Sequence, residues 1–154
     1  MESDLMLLIT CQAGSNRYAF QSRDVVEVLP RVNLHSLSDS PPWLAGLLIY
    51  RGAAVPVIDF DYVTQSTPCP DRLSSRIAVL QTVHEGVVRR FGVLAEQMGL
   101  SEYNAHENQL HTDEGVQVGL GKLCQDEEGV FQMIDPGALI SQGRLASLFS
   151  QTAK

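Results

Sequence analysis

The segment His106-Glu107-Asn108-Gln109-Leu110-His111 comes closest to a metalloenzyme motif, because H-E-x-x-H on a helix sets two imidazoles on one face beside a carboxylate base. Here the histidines are five residues apart, which turns them roughly 140° around a helix of 3.6 residues per turn. They do not share a face, and among Asn, Gln and Glu the segment reads as a polar surface loop. Asp59 and Asp61 open like a calcium loop, but Thr64 stands where that loop demands glycine and the downstream bidentate glutamate is missing. Gly119-Leu120-Gly121-Lys122 lacks the spacing of a phosphate loop, and Cys124 stands in place of the third glycine of a dinucleotide fingerprint. A local strand bulge is the simpler reading of those glycines. There is no G-x-S-x-G elbow. Cys11, Cys69 and Cys124 are odd in number and far apart, which fits neither a disulfide framework nor a paired C-x-x-C zinc site. The expectation is three reduced thiols, no catalytic residue, no cofactor, no metal, and hence no enzyme.

Composition excludes further classes. The 154 residues carry 11 Lys+Arg against 18 Asp+Glu, a formal charge of −7, which argues against a partner that is a chain of phosphates. The aromatics Tyr18, Phe20, Trp43, Phe91 and Phe131 lie inside apolar runs, where core packing accounts for them better than base stacking. With 44% hydrophobic residues, a chain of this length buries a core without a staple. No run of about 18 uncharged apolar residues occurs, and Glu2 and Asp4 stand where a secretory signal carries cations. The reading is a cytoplasmic protein without membrane insertion.

The elements that position its side chains read as short strands. Leu5–Cys11 and Arg17–Gln21 flank the turn residues Ala13-Gly14-Ser15-Asn16, and Asp24–Leu29 is a β-branched run stopped by Pro30. Trp43–Tyr50 and Val55–Phe60 flank Arg51-Gly52, a tight hairpin turn. Thr64–Ser75 concentrates Ser, Thr and Pro without an apolar period, a surface connection that reads as a subdomain boundary. Arg76–Val83 and Arg90–Glu96 pair across a turn containing Gly86, and Val116–Cys124 pairs with Val130–Ile134 across Asp126-Glu127-Glu128-Gly129. Asp135-Pro136 offers a cap and first turn for a C-terminal helix over 136–149. Gly52–Asp59 (GAAVPVID) and Gly129–Asp135 (GVFQMID) echo each other about 76 residues apart, a hint of two similar units. The pattern is that of small antiparallel barrels rather than a parallel sheet.

Trp43–Asp59, read as W-L-A-G-L-L-I-Y-R-G-A-A-V-P-V-I-D, closely resembles the hallmark hairpin of the CheW family of chemotaxis coupling proteins. Arg17–Phe20, Val25–Pro30, Arg76–Leu80 and Phe91–Leu94 look like the family's flanking strands, so the likeness spans nearly the whole chain. The resemblance implies one domain over 1–154, mainly β. It would hold two five-stranded SH3-like barrels around a shared apolar core, with barrel 1 over 12–63, a loop over 64–75, and barrel 2 over 76–134 together with strand 5–11. It implies a non-enzymatic scaffold joining the helical cytoplasmic tip of a methyl-accepting chemotaxis receptor to a CheA-type histidine kinase, in the cytoplasm at membrane-associated receptor arrays. Carried over residue by residue, Val25 and Glu27 fall at receptor-facing positions on the edge of the groove between barrels. Arg51 and Gly52 fall at a hairpin turn implicated in coupling, and Gly46 and Gly92 match glycines of the same surfaces. Ala95-Glu96 and Ile49-Tyr50 depart from the commoner Val-Asp and Asn-Leu. The first alternative is therefore a CheW-like regulator that engages one partner in a pilus-motility or surface-sensing pathway; the second, resting only on the polar His106–His111 loop, is an enzyme built on a β-barrel.

The physical case is independent of the family. A helix that lays an apolar stripe into a groove needs exposed aliphatics there and a few charges to fix its register. Val25 and Glu27 are two apart, which predicts that they share one face of a strand. Arg51 at a rigid tip can donate a planar fork to a carboxylate or to helix C-terminal carbonyls.

Overall fold

Hairpin chemistry sets the framework of the computed structural model, which describes residues 5–70, 73–104 and 121–141. Four antiparallel hairpins account for eight of its nine strands: β1 (Leu5–Ala13) with β2 (Asn16–Gln21), β4 (Leu44–Tyr50) with β5 (Ala53–Asp59), β6 (Ser75–His84) with β7 (Val87–Asn104), and β8 (Gly121–Asp126) with β9 (Gly129–Ile134). The β4–β5 turn has φ of 50° at Arg51 and 81° at Gly52, the two positive values that a type I′ turn needs and that match the twist of the flanking strands. β3 (Val25–Pro30) is an edge strand on β6, which suits its terminal proline.

The strands join as β3-β6-β7-β1-β2-β9-β8, with β5 added in parallel beside β7 and β4 beside β5. β7 is shared. Its first part pairs with β6 and β5, and its last part with β1. Two five-stranded lobes result: β3-β6-β7-β5-β4, and β7-β1-β2-β9-β8. The expected mainly β architecture in two five-stranded units is present, but the sheet does not close into barrels. Among the described residues, the bridge between His35 and Leu47 is what approaches closure of the first lobe. Pairing also crosses the expected division at 64–75, since β6 and β7 build the first lobe while β2 builds the second.

The sequence echo has a structural counterpart. β5 and β9 each end a hairpin and pair in parallel with a strand of an earlier or later hairpin, and each is followed at once by a six-residue helix, α1 (Phe60–Gln65) or α2 (Pro136–Ser141). The aspartate closing each echo acts alike: Asp59 accepts from the Tyr62 amide at 3.1 Å and Asp135 from the Gly137 amide at 3.0 Å. The rest of the helix expected to 149, the strand residues 116–120 and the loop 106–111 lie outside the described residues.

Alternation along the strands sorts their side chains into three cores. Leu48, Tyr50, Val55, Val57, Ile77, Val79 and Leu94 fill the first lobe. Leu8, Ala19, Tyr103, Phe131 and Met133 fill the second. Between them Tyr18 and Phe20 of β2, Trp43, Ile58, Phe60, Leu80, Phe91 and Val93 form a central cluster with Leu139 and Ile140 of α2. The central strands are thus apolar on both faces, which is why their sequences read as continuous runs. Phe60 is the hinge of this packing. It is fully buried, and its ring meets Tyr18 edge-on at 4.9 Å and Phe20 at 5.9 Å. Cys11, Cys69 and Cys124 are reduced and buried. Burial pushes the Cys11 thiol up to about 12, so it packs as a small hydrophobe and not as a nucleophile.

Arg17 of β2 clamps the β8–β9 turn, donating to both oxygens of Asp126 at 2.9 and 2.8 Å while lying over the Phe131 ring at 5.5 Å. The Arg17 hydrogen bonds hold the Asp126 carboxyl below its ordinary value. A carboxylate depressed in the folded state adds stability that is complete above its unfolded value and is lost as pH falls through the folded one. Asp126→Asn is expected to lower stability by about 1–2 kcal/mol at pH 7. Urea melts at a series of pH values should show the gap to the parent shrinking as pH falls below about 4 and through the depressed folded value.

Candidate functional site

Glu27, Tyr50 and Arg51 meet at the open end of the first lobe. The Tyr50 hydroxyl donates to Glu27 Oε1 at 2.6 Å, Arg51 Nη2 lies 3.6 Å from the same oxygen, and the guanidinium sits over the Tyr50 ring at 4.9 Å. The body of Tyr50 is buried in the first-lobe core, so a rigid ring holds both charged groups in place. The hydrogen bond to Glu27, with burial, raises the Tyr50 phenol above its usual value. Glu27 and Arg51 keep 43% and 62% of their side-chain surface open, which leaves both carboxylate and guanidinium free to take a second partner. Tyr50→Phe removes the hydroxyl and is expected to cost about 1 kcal/mol in a denaturant melt. It also releases Glu27 and Arg51 from their fixed positions.

The positions marked in the sequence fall into two groups. Glu27, Arg51 and Gly52 come together at this rim, Gly52 at the hairpin tip with open space around it. Val25 does not join them. Strand β3 carries a register shift between Val25, opposite Leu80, and Glu27, opposite Val79. Adjacent residues of β6 point to opposite faces, so the expected common face of Val25 and Glu27 is split by this bulge. Val25 packs toward the central cluster, and Val26 toward the first-lobe core.

Gly46 and Gly92 lie beneath the surface and not on it. At Gly46, with φ of 151°, a side chain would meet Leu34 Cβ at 2.8 Å and the His35 carbonyl at 2.9 Å. At Gly92 it would meet Val57 Cγ2 at 2.9 Å and Ile77 Cγ2 at 3.1 Å. Both positions are demanded by close packing of strands and segments.

Sequence reasoning passed over the apolar part of the rim. Beyond Val79, the same face of the β6–β7 ribbon continues as the pair Gln81 and Arg90, joined by a 2.8 Å hydrogen bond, and then as the pair Val83 and Val88. Those two valines are exposed, as are Ile49 and Val28. Val83 stands about 13 Å along β6 from Val79, the partner of Glu27. The signal was present in the β-branched residues crowding the turn at Glu85-Gly86, where solvent-facing tips usually carry polar ones. Exposed aliphatics beside a fixed charge pair can dock an amphipathic surface and set its register.

The sequence matches the CheW-like domain family over residues 7–144. The chain belongs to that family. As a CheW-like domain it is similar in fold to the scaffolding protein TtCheW from Thermoanaerobacter tengcongensis, with a TM-score of 0.73 and 15% sequence identity over 88% of this chain and 92% of that one. A search of curated protein sequences found no match. A CheW-like domain is a scaffold and adaptor module of chemotaxis signalling.

Proposed function

We propose that this chain is a non-enzymatic adaptor that holds the helical cytoplasmic tip of a chemoreceptor and a CheA-type histidine kinase together, in the cytoplasm at receptor arrays. The observation that carries the reading is the rim of the first lobe, where Glu27 and Arg51, fixed by Tyr50, stand on the same open end as Val83 and Val88. A receptor helix offers an apolar stripe flanked by charges, and this rim offers the complement. Among the described residues no helix is long and apolar enough to cross a membrane, and an adaptor reaches the membrane through its receptor. Interfaces of roughly 800 Å² or less on each partner, with modest affinities, suit a scaffold that must exchange.

Size-exclusion chromatography of the chain with a receptor-tip fragment and a kinase fragment tests the bridge. The adaptor reading expects one peak containing all three. A complex with only one of the two fragments would support a one-partner regulator of pilus motility or surface sensing, and binding to neither would overturn both readings.

A further inference from the structure

At the other end of the first lobe, about 20 Å along β5 from the hairpin tip, three ligating side chains converge. Asp59, Asp61 and Cys69 are all buried, and one ligand atom from each lies within 4.8 Å of the others. Asp59 clamps the connection that follows α1: its Oδ1 accepts from the Tyr62 and Cys69 amides, each at 3.1 Å, and its Oδ2 accepts from the Cys69 amide at 2.9 Å. Those bonds hold the Cys69 thiol inward, 3.9 Å from the Ser75 hydroxyl.

Asp61 is the anomaly. It is 6% exposed, and its Oδ1 is buried without a hydrogen-bond partner. The nearby Thr64 hydroxyl is spent on the backbone carbonyls of Phe60 and Asp61. A buried carboxylate oxygen with no donor is a costly and uncommon arrangement, and a cation is the partner that would satisfy it beside a second carboxylate and a thiol.

We propose that Asp59, Asp61 and Cys69 form a binding site for a borderline divalent cation, zinc being the ion that fits the donors best. Sulfur beside two carboxylates disfavours calcium and magnesium, which take oxygen alone, whereas zinc accepts both. Zinc–sulfur and zinc–oxygen bonds place tetrahedral donors roughly 3.3–3.8 Å apart, so the 4.8 Å cluster closes by about 1 Å. On binding, the Cys69 thiol loses its proton to solvent and a zinc–thiolate bond forms. No electrons are transferred. The ion would pin the connection from α1 to β6 against β5. The sequence concealed the site because Asp59-x-Asp61 and Cys69 match no metal motif and meet only through the fold.

The full chain, freed of metal, is titrated with cadmium chloride, whose thiolate complex absorbs in the ultraviolet. The site predicts a charge-transfer band that saturates at one equivalent and is displaced by zinc. Binding falls at least tenfold in Cys69→Ser and in Asp61→Asn and is unchanged in Cys124→Ser, with circular dichroism confirming the fold of each. If Cys69→Ser and Asp61→Asn fail to fold, alkylation of the parent decides: zinc should shield Cys69 from iodoacetamide, read by peptide mass spectrometry. No saturable band in the parent, a band that survives in folded Cys69→Ser or Asp61→Asn, or a Cys69 alkylated equally with and without zinc would each overturn the proposal.

Discussion

Phe60→Ala is expected to destabilise the protein by about 3–5 kcal/mol, enough to consume a large share of the stability of a domain of this size. The reasons lie in its position. Phe60 is fully buried and stacks edge-on against Tyr18 and Phe20 of the second lobe, while its own backbone follows β5 of the first. Removing the ring therefore opens a cavity where the two lobes meet, and the sheet around it cannot collapse without moving β2 relative to β5. Phe60→Leu keeps most of the buried volume and loses the two ring contacts, for about 1–2 kcal/mol. In thermal melts the alanine variant should unfold roughly 10 °C or more below the parent, as one cooperative transition. An alanine variant within 2 °C of the parent would show that the lobes do not depend on a common core.

Glu27→Lys should have the opposite profile, with little effect on the fold and a large one on binding. The parent carboxylate accepts from Tyr50 and faces Arg51, and a lysine there loses the acceptor and sets two cations side by side. Because the pair is well exposed, the stability change should stay within about 1 kcal/mol. At a docking surface the same reversal removes an anchor and adds repulsion, worth about 2 kcal/mol or roughly 30-fold in affinity. Isothermal titration against receptor-tip and kinase fragments reads the effect. Unchanged affinity for both, with an unchanged melting temperature, would remove Glu27 from the interface.

Much of the fold was legible because its turns are local. Arg51-Gly52 and Glu85-Gly86 announce tight turns in the sequence, and both have paired positive φ values. What stayed hidden depends on contacts between distant residues. The last part of β7, from Gln97 to Asn104, is polar and broken by a positive φ at Gln97, so it lacks strand periodicity and exists because β1 pairs with it. Helix α1 is too short to show a 3.6-residue pattern, and it forms where Asp59 caps it and Phe60 is buried. The bulge before Glu27 is set by register with β6, which no alternation along β3 could reveal. At the rim, family resemblance marked Glu27 and Arg51 separately. That Tyr50 holds them together, and that Val83 and Val88 extend the surface, follows only from the way β3 and two hairpins lie against each other.

Hydrogen–deuterium exchange on the full chain, free and bound to a receptor-tip helix or kinase fragment, tests the docking rim most directly. Slowed exchange is predicted in peptides covering 25–30, 48–53 and 81–90, with β8 and β9 unchanged. Protection confined to β8 and β9, with those three peptides exchanging as in the free protein, would contradict it.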